Sequence, residues 1–428
     1  MLYNTYMKTI KKYLVGGAVR DKFMDQPISD YDYTTPCTKD QIIEYAKENN
    51  LEHFVINDKY NTVAIKEDGV WKEYTTFRKD VNQDGRHTDQ EYTSDIKEDL
   101  IRRDFTINAI AYDEENSSYI DPFNGILDIK NCIIRAVGDP IKRFKEDYLR
   151  IIRAARFAVT FNFVIEENTY EAMRELAANM HPISIERVVG EIEKLFEKAE
   201  NPSGFFDILD NLHLLHVYFP LLYKIKDMKN VHQNPFYHPE LTVWDHIANC
   251  LDHSPKNKKL RWAVLTHDLG KIFSETVEGK TYNSFHGHQN HEELVDEFFS
   301  NLKVSNDLVN YCKFIMRHHM KIDKDISKKS IKKILNSDGK ELFKELIDFT
   351  RIDAYASPTL HEVDVVEALY NKILTEKEPI KPIVDGRFII EKTGFAGKDI
   401  GALKNRCYEY QLESGETDKS KILEKCLW

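Results

Sequence analysis

The order of apolar and polar residues divides the first part of the chain, to about Gly138, into short strands and a few helices. In the stretch 39–50 the apolar residues Ile42, Ile43 and Ala46 recur at helical spacing, which predicts an amphipathic helix. Short apolar runs bounded by polar turns predict strands at 54–56, 62–65 and 70–77. This mixture predicts a small α+β domain.

Two further patterns complete the outline. The stretch 78–100 is polar and charged, contains glycine and asparagine, and is predicted to be an exposed mobile loop. Beyond Gly138 helical spacing dominates, first over 144–157 as one continuous helix and then over 176–215. The predicted fold class is therefore α+β, with a small N-terminal α/β head followed by helical segments.

Composition narrows the class of protein. A chain of 428 residues with 42% hydrophobic residues can bury the cores of two to four domains. The formal net charge of −11 argues against a protein that coats nucleic acid non-specifically, although a local basic groove could still bind RNA. Net charge alone therefore does not exclude an RNA partner.

The cysteines and the apolar runs bear on the compartment. The six cysteines are scattered without a Cys-x-x-Cys pair, so we expect reduced thiols in an intracellular protein, with no zinc ribbon and no disulfide framework. The beginning of the chain lacks a basic region followed by a long apolar run, and no apolar stretch is long enough to span a bilayer. These features predict a cytoplasmic protein without a membrane partner.

The first candidate site begins where an apolar run meets two glycines. At Gly16 and Gly17 the backbone N–H groups can approach a phosphate without obstruction by a Cβ atom. Further on, Asp30 and Asp32 are two residues apart, a spacing that places both carboxylates on one face of a strand. A carboxylate pair beside bound phosphate suits Mg²⁺. Each feature alone is usually an ordinary turn or loop edge, but together they indicate phosphoryl or nucleotidyl transfer.

This combination, Gly-Gly-x-Val-Arg-Asp followed by Asp-x-Asp, resembles the head signature of the class II nucleotidyltransferases. That family comprises the CCA-adding tRNA nucleotidyltransferases and the bacterial poly(A) polymerases. The resemblance implies Mg²⁺ ions at the aspartate pair and a third carboxylate nearby, although an outward strand position is the alternative for that third residue. The implied catalytic residues are Asp30, Asp32 and Glu73, and the implied nucleotide contacts are Gly16, Gly17 and Arg20.

A second motif of the same family is matched by Arg-Arg-Asp-Phe-Thr-Ile-Asn at 102–108. Guanidinium forks suit phosphate, and a carboxylate or amide suits a ribose hydroxyl. In isolation the motif would be a salt-bridged helix start. The nucleotide-binding residues that the resemblance implies here are Arg103, Asp104 and Asn108.

A third motif, Glu-Asp-x-x-Arg, resembles the nucleobase reader of the family. On the predicted helix Asp147 and Arg150 would share one face. A carboxylate and a guanidinium would select cytosine and adenine, which both present an amino donor beside a ring-nitrogen acceptor, and would disfavour uracil and guanine. We expect Arg187 and Glu191 to orient this helix. The nucleotide-binding residues implied along it are Glu146, Asp147, Arg150, Arg153 and Arg156.

The histidines of the second half form an ordered series. A His, a His-Asp pair and a distant Asp offer imidazole and carboxylate ligands for one transition metal, and the series resembles the HD phosphohydrolase domain. The implied activity is hydrolysis of phosphomonoesters or 2′,3′-cyclic phosphodiesters, with Ni²⁺, Mn²⁺, Co²⁺ or Mg²⁺ as the metal. The implied ligands are His246, His267, Asp268 and Asp353, and His288 and His318 are candidates for a second metal ion or a substrate phosphate.

Taken together, the resemblance implies a CCA-adding enzyme with tRNA, CTP and ATP as partners and an additional phosphohydrolase activity; a homodimer is left open. A poly(A) polymerase is the nearest alternative, although those of this family typically lack the HD domain. A phosphohydrolase with an inactive RNA-binding head and a non-enzymatic RNA chaperone are the others. The predicted segments are a head at 1–138, a helical neck at 139–230, an HD domain at 231–375 and a helical tail at 376–428.

Overall fold

The computed structural model describes residues 9–28, 30–84, 87–178, 183–276, 279–355, 357–376 and 381–427. The chain divides into two compact units, Met1–Tyr218 and Phe219–Trp428, and each has its own buried apolar core. Predictions that concern the first eight residues, Gly85 or Arg86 lie outside the described residues.

The first unit combines strands with helices. Its strands are β1 (Tyr13–Val15), β2 (Tyr31–Thr35), β3 (His53–Asn57), β4 (Thr62–Glu67), β5 (Val70–Thr76), β6 (Arg78–Asp84), β7 (His87–Tyr92), β8 (Ala111–Asp113), β9 (Ser118–Ile120), β10 (Ile133–Ile134) and β11 (Val164–Ile165). Its helices are α1 (Gly17–Phe23), α2 (Lys39–Glu48), α3 (Ile96–Ile101), α4 (Gly125–Lys130), α5 (Pro140–Glu146), α6 (Leu149–Phe161), α7 (Glu167–Ala177), α8 (Ile185–Lys198), α9 (Ser203–Asn211) and α10 (Leu215–Tyr218).

One seven-stranded sheet carries the head, with the strand order β3-β4-β5-β2-β1-β8-β9. The strands β2 and β5 are parallel, and the other neighbouring pairs are antiparallel. The helix and the strands that the pattern predicts between 39 and 77 are confirmed as α2, β3, β4 and β5. The register of the parallel pair sets Asp32 beside Glu73, and cross-strand partners of this kind project from the same face.

The stretch 78–100 is not the loop that its composition predicts. The backbone of β6 pairs with β7 as an antiparallel hairpin, and α3 follows it. The hairpin forms a sheet of two strands, and an ion pair between Lys79 and Glu91 at 3.1 Å links them. Because such a ribbon need not bury an apolar face, its sequence lacks the alternation that marks a strand.

The predicted continuous helix over 144–157 is interrupted. The helix α5 ends at Glu146, Asp147 has extended backbone angles (φ −157°, ψ 105°), and α6 begins at Leu149. The carboxylate of Asp147 accepts a hydrogen bond from the Leu149 N–H at 3.1 Å, which caps the second helix. The expectation that Asp147 and Arg150 share one helix face is therefore wrong.

In its described residues the second unit has helices and one short strand pair. Its helices are α11 (Pro220–Asp227), α12 (Val243–His253), α13 (Lys258–Thr266), α14 (Glu293–Phe299), α15 (Asn306–His318), α16 (Lys328–Ser337), α17 (Lys340–Asp353), α18 (Leu360–Thr375), α19 (Gly386–Thr393), α20 (Lys398–Ser414) and α21 (Lys419–Cys426). Its strands are β12 (Glu275–Thr276) and β13 (Asn283–Ser284). The predicted α+β head with a helical body is confirmed. Among the described residues, no helix is both long and apolar enough to cross a membrane.

A series of mutually bonded polar side chains runs through the first unit, and we call it the polar chain. Its members are Arg20, Asn108, Asp104, Arg153, Glu191 and Arg156. At its beginning the Arg20 guanidinium, next to the glycine turn, donates to the Asn108 amide oxygen at 2.6 Å. The Asn108 amide in turn donates to Asp104 at 3.1 Å.

The second half of the polar chain joins α6 to α8. Two guanidinium nitrogens of Arg153 donate to one oxygen of Asp104, at 2.9 and 2.6 Å. Arg156 Nε donates to Glu191 at 2.6 Å, and Arg153 reaches the other oxygen of the same carboxylate at 3.4 Å. Since Glu191 is only 3% exposed, two helices are held together by charges that water barely reaches.

We predict that Glu191→Gln lowers the free energy of unfolding of the first unit by about 3 kcal/mol, because it leaves buried guanidinium charge without its counter-ion. Burial opposes ionisation of Glu191, but Arg156 and Arg153 outweigh it and lower the pKa of this carboxyl below 4.5. The stabilisation is therefore complete above that pH and is lost as the pH falls through the lowered pKa. Chemical denaturation measured against pH tests this.

The matched control is Glu175→Gln, which makes the same chemical change on the exposed surface of α7. It should alter stability by no more than about 0.5 kcal/mol. Equal denaturation midpoints for the two variants would contradict the assignment of Glu191 to the polar chain.

Candidate active and metal-binding sites

Three carboxylates interact at the centre of the head sheet. Asp30 directly precedes β2, Asp32 lies within it, and Glu73 stands beside Asp32 in register. Burial raises the pKa of Asp32, and Asp30 raises it further against the opposing effect of Arg103. Burial, Asp32 and Asp30 likewise raise the pKa of Glu73. The register thus places the predicted third carboxylate beside Asp32. Three carboxylates that repel one another are a donor set of the kind that a divalent cation neutralises, although in the described residues their oxygens do not all lie within 4.8 Å of one another, as those of the histidine clusters do.

The glycine turn lies directly against this cluster. Gly16 has φ 68°, in the left-handed region that favours glycine, and α1 begins at the next residue. A Cβ atom at this position would lie 3.2 Å from Arg103 Nη1 and 4.0 Å from Asp32 Oδ2. A side chain at Gly17 would similarly meet Arg20 Nη2 at 3.3 Å. The turn therefore brings backbone, guanidinium and carboxylate within a few ångströms of one another.

A cavity of about 190 Å³ adjoins the cluster. Asp32 and two arginines of the second motif, Arg102 and Arg103, face it together. Asp99 orients both arginines, at 2.7 Å from Arg102 and 3.2 Å from Arg103. The full lining is Val15, Asp32, Tyr33, Thr34, Tyr60, Thr62, Thr75, Arg78, Arg102 and Arg103.

The predicted base reader contacts the same segment. Arg150 donates to the Arg102 carbonyl at 3.1 Å and to Glu146 at 2.5 Å. Asp147 receives a bidentate pair from Arg187, at 3.1 and 2.6 Å. Arg187 and Glu191 thus hold α6 and its leading residue as the sequence predicts. Within the segment 102–104, Arg103 lies beside Asp32 at the Gly16 turn. The preceding residue, Arg102, accepts the hydrogen bond from Arg150 through its carbonyl oxygen.

Five of the predicted nucleotide contacts instead bond to other members of the polar chain. Asp104 shows this most clearly: one oxygen accepts from the Phe105 N–H and Asn108, and the other accepts twice from Arg153. Burial opposes its ionisation, but Arg153 and Asn108 lower the pKa of Asp104 well below the usual range. A nucleotide contact would have to replace one of these bonds, so such contacts stay a prediction for Arg20, Asp104, Asn108, Arg153 and Arg156.

The four predicted HD ligands form one cluster in the second unit. His246 lies on α12, His267 and Asp268 follow α13, and Asp353 ends α17. Nε2 of His246 lies 2.9 Å from Asp353 Oδ1, and Nε2 of His267 lies 3.2 Å from Asp268 Oδ2 and 3.4 Å from Asp353 Oδ1. All four therefore turn ligand atoms toward one point.

The surroundings of this cluster fit a metal ion. The Nδ1 of His267 lies 2.8 Å from the Val264 carbonyl and that of His246 lies 2.6 Å from Glu240, which orients each Nε2 toward the cluster. Among the described residues, neither His267 Nε2 nor the buried oxygens of Asp268 make a contact with full hydrogen-bond geometry, and the Lys271 ammonium forms an ion pair with Asp268 Oδ2 at 2.6 Å. Burial would lower the pKa of His267, but Asp268 and Asp353 raise it to about 10. A divalent cation would replace that proton.

A second group of possible metal ligands shares Asp268, and it contains His319 in place of the predicted His318. Asp268, His288 and His319 are close enough to hold one ion. The Nε2 atoms of His288 and His319 face each other at 3.1 Å, while each Nδ1 lies near a carbonyl oxygen, 2.8 Å from that of Phe285 and 2.7 Å from that of Met316. Two imidazole lone pairs at that distance need a cation or a proton between them.

His318, which the sequence offered for this role, lies elsewhere. Its ring packs on Phe314 at 4.8 Å, and its Nδ1 lies 3.2 Å from the Lys321 ammonium. The helix α15 ends at His318, and the next residue turns inward. The His-His dipeptide carried no signal of which ring would face the cluster, because both rings are buried.

Comparison with known proteins is consistent with this geometry. Three family models match the chain: the Poly A polymerase head domain at 12–135, the probable RNA and SrmB-binding site of polymerase A at 162–225, and the HD domain at 237–357. They define a nucleotidyltransferase head, an RNA-binding region and an HD domain in one chain.

Individual relatives identify the family. The CCA-adding enzyme of Staphylococcus epidermidis is 37% identical over 287 residues, which cover 63% of this chain and 68% of that enzyme. The enzyme of Staphylococcus haemolyticus is 40% identical over 225 residues, 52% of this chain and 54% of that enzyme, so the match spans about half the length of such relatives. The Bacillus stearothermophilus CCA-adding enzyme, solved in complex with CTP, has a TM-score of 0.71 at 25% identity and covers 97% of this chain and 92% of that one. This chain belongs to the CCA-adding enzyme family, which confirms the resemblance of its motifs.

We predict that Mg²⁺ raises the melting temperature of the first unit and that Asp32→Asn removes this response, whereas a response of the HD cluster in the second unit is unchanged. Because the pKa values of Asp32 and Glu73 are raised, their ionisation opposes folding, and the metal-free protein loses stability as the pH rises through those values. In EDTA at neutral pH the variant should therefore melt above the wild type, and the difference should vanish in acid.

Thermal unfolding with EDTA and with Mg²⁺ tests this, and Asp25→Asn is the matched control. Asp25 is exposed and has φ 53°, which asparagine also tolerates. A wild type whose melting temperature ignores Mg²⁺ would show that the carboxylates do not hold the ion.

Proposed function

We propose that this protein adds C, C and A to the 3′ end of tRNA, with CTP and ATP as substrates. The observation that carries the proposal is the cluster of Asp30, Asp32 and Glu73 beside the Gly16 turn and Arg103. Relatives of this chain are CCA-adding enzymes, and the Bacillus stearothermophilus enzyme solved with CTP matches 97% of this chain.

In the proposed reaction the 3′-hydroxyl of the RNA attacks the α-phosphorus of the nucleotide, a new phosphodiester forms and pyrophosphate leaves. Arg102 and Arg103 bind triphosphate oxygens at the cavity, since guanidinium groups suit phosphate. Asp30, Asp32 and Glu73 hold Mg²⁺, which when bound neutralises the triphosphate and lowers the pKa of the attacking hydroxyl. The turn at Gly16 leaves space for the phosphate to approach the backbone.

Base selection is proposed for Asp147 and Arg150. Cytosine and adenine offer an amino donor to the carboxylate and a ring nitrogen to the guanidinium, whereas uracil and guanine would leave both groups unpaired. The carboxylate is held by Arg187 and the guanidinium by Glu146 and the Arg102 carbonyl, so both groups are positioned by contacts already formed. A protein side-chain pair would then replace a nucleic-acid template.

We also propose that the HD cluster is a metal-dependent phosphohydrolase that acts on phosphomonoesters or 2′,3′-cyclic phosphodiesters. The support is the set of His246, His267 and Asp268, which are buried, and Asp353, which is half-buried; Asp268 also faces His288 and His319. Imidazole and carboxylate ligands suit Ni²⁺, Mn²⁺ or Co²⁺ as well as Mg²⁺. Such an activity could restore damaged RNA ends before nucleotides are added.

Nucleotide incorporation into a tRNA transcript that lacks its last three nucleotides tests the proposal. With CTP and ATP together the product should grow by three residues, with CTP alone by two, and UTP and GTP should be poor substrates. Long adenosine tails from ATP alone would instead identify a poly(A) polymerase, and equal use of all four nucleotides would overturn the base reader.

Two variants separate the two sites. Asp32→Ala should reduce incorporation on the order of a thousandfold by removing a ligand of the cation that stabilises the transition state, and it should spare hydrolysis of a 2′,3′-cyclic phosphate. Asp268→Ala should abolish that hydrolysis and spare incorporation. Glu44→Ala, an exposed change on α2, serves as the control. If Asp32→Ala leaves incorporation intact, the head site is not catalytic.

A further inference from the structure

Two large aromatic side chains are exposed on the head sheet, and we call them the aromatic platform. Phe54 is 51% exposed and Trp71 is 43% exposed. Their rings meet edge to face with centroids 5.0 Å apart. Exposed aromatic surface of this kind marks a binding surface more often than a solitary exposed apolar residue does.

Strand register places the platform on the same face as the catalytic carboxylates. Glu73 is the neighbour of Asp32 on one side and of Ala64 on the other, and Ala64 is in turn the neighbour of Phe54. Trp71 precedes Glu73 by two residues in β5 and so projects from the same face. With strands about 4.8 Å apart, Phe54 lies roughly 10 Å from Glu73.

The platform and the phosphate turn flank the carboxylates on opposite sides. Gly16 and Arg103 lie beyond Asp32 on the β1 side of the sheet. Phe54 and Trp71 lie on the other side, toward the edge strand β3. In nucleotidyl transfer the α-phosphorus lies between the leaving pyrophosphate and the attacking hydroxyl, so the RNA approaches from the side away from the triphosphate. That side carries the platform, because on β5 Trp71 lies two residues before Glu73, whereas Thr75, which lines the cavity, lies two residues after it.

The chemistry of the platform suits single-stranded RNA. Aromatic faces stack on any base, and a neighbouring cation attracts the phosphate backbone. Lys66, on β4 between the two aromatic residues, has its ammonium 5.8 Å from the Trp71 ring centroid and pairs with Glu52 at 3.0 Å. A base can therefore meet a ring and a positive charge at one place.

We propose that Phe54 and Trp71 form the stacking surface for the terminal nucleotides of the RNA that this protein extends. The inference rests on the proposed nucleotide addition and assigns the primer side of that site. Phe54 and Trp71 are then positioning residues: they determine where the 3′-hydroxyl lies without touching the reacting atoms. Because a terminal base of any identity can stack, the same surface would serve each successive addition.

Steady-state kinetics with truncated tRNA tests the proposal. Trp71→Ala and Phe54→Ala should each raise the KM for the RNA about tenfold, in line with the loss of one stacked base, and leave the KM for CTP unchanged. Trp71→Phe keeps an aromatic face and should recover most of the affinity. Val55→Ala is the matched control, because Val55 is 40% exposed on the same strand but pairs with Val63, on the opposite face.

An RNA with an abasic 3′-terminal nucleotide sharpens the test. It should bind the wild type more weakly but bind Trp71→Ala no worse than the intact RNA does, so the two changes should not add. Additive losses, or an unchanged KM for the RNA in both alanine variants, would overturn the proposal.

Binding measured by fluorescence anisotropy of labelled tRNA keeps this test independent of catalysis. If the wild type adds no nucleotide, the proposed function fails, and the anisotropy titration still reports whether the platform binds RNA. Phe54 lies on the edge strand of its sheet, so a second copy of this chain is the competing occupant. Alanine variants that turn a dimer into a monomer and bind RNA normally would assign the surface to that contact and overturn the proposal.

Discussion

The arrangement of the first unit depends on the ion pair between Asp104 and Arg153. Its nitrogen and oxygen lie 2.6 Å apart, and the carboxylate is only 9% exposed. A buried pair contributes little net stability compared with apolar packing, but removing one partner costs about 3–5 kcal/mol; the cost here is smaller, because the Arg153 side chain is 28% exposed. The ion pair therefore contributes specificity more than stability. It gives α6 one favourable position against the segment 102–104, because any other position would leave one of the two charges unpaired.

That constraint connects two sites that are distant in sequence. Arg103 lies against the Gly16 turn near Asp32, while its neighbours Arg102 and Asp104 bind Arg150 and Arg153 of α6. Any movement of α6 relative to the head would have to break buried hydrogen bonds. The group proposed to read the base is thus fixed relative to the carboxylates proposed to act on the phosphate, which a protein template requires.

Much of the fold and of the site could be predicted from the sequence, because the signals were local. The alternation in β3, β4 and β5, the two glycines and the Asp-x-Asp spacing each reflect a short-range steric rule. The position of Glu73 beside Asp32 depends on the register between β2 and β5, which cannot be read from the sequence. Only the family resemblance indicated this residue.

The predictions that proved wrong, those for Asp147 and His318, depended on contacts between residues that are distant in the sequence or on the direction of a chain turn. The residues around Asp147 are typical of a helix, and the local pattern therefore predicts a helix there. In the structure its side chain instead accepts from the Leu149 N–H and pairs with Arg187, 40 residues away, and the backbone is extended. His318 and His319 differ only in which way the end of α15 turns. The polar chain could not be predicted as a unit, because side chains that bond across 88 or 49 positions leave no periodic pattern in the sequence.

We propose that one cleft of the first unit holds both the cation site and the base reader. A crystal structure of the protein with Mn²⁺ and CTP tests it most directly. We expect anomalous density for manganese at Asp30 and Asp32, with the cytosine edge within hydrogen-bond distance of Asp147 and Arg150. Manganese at the aspartates with the base bound away from both residues would contradict it.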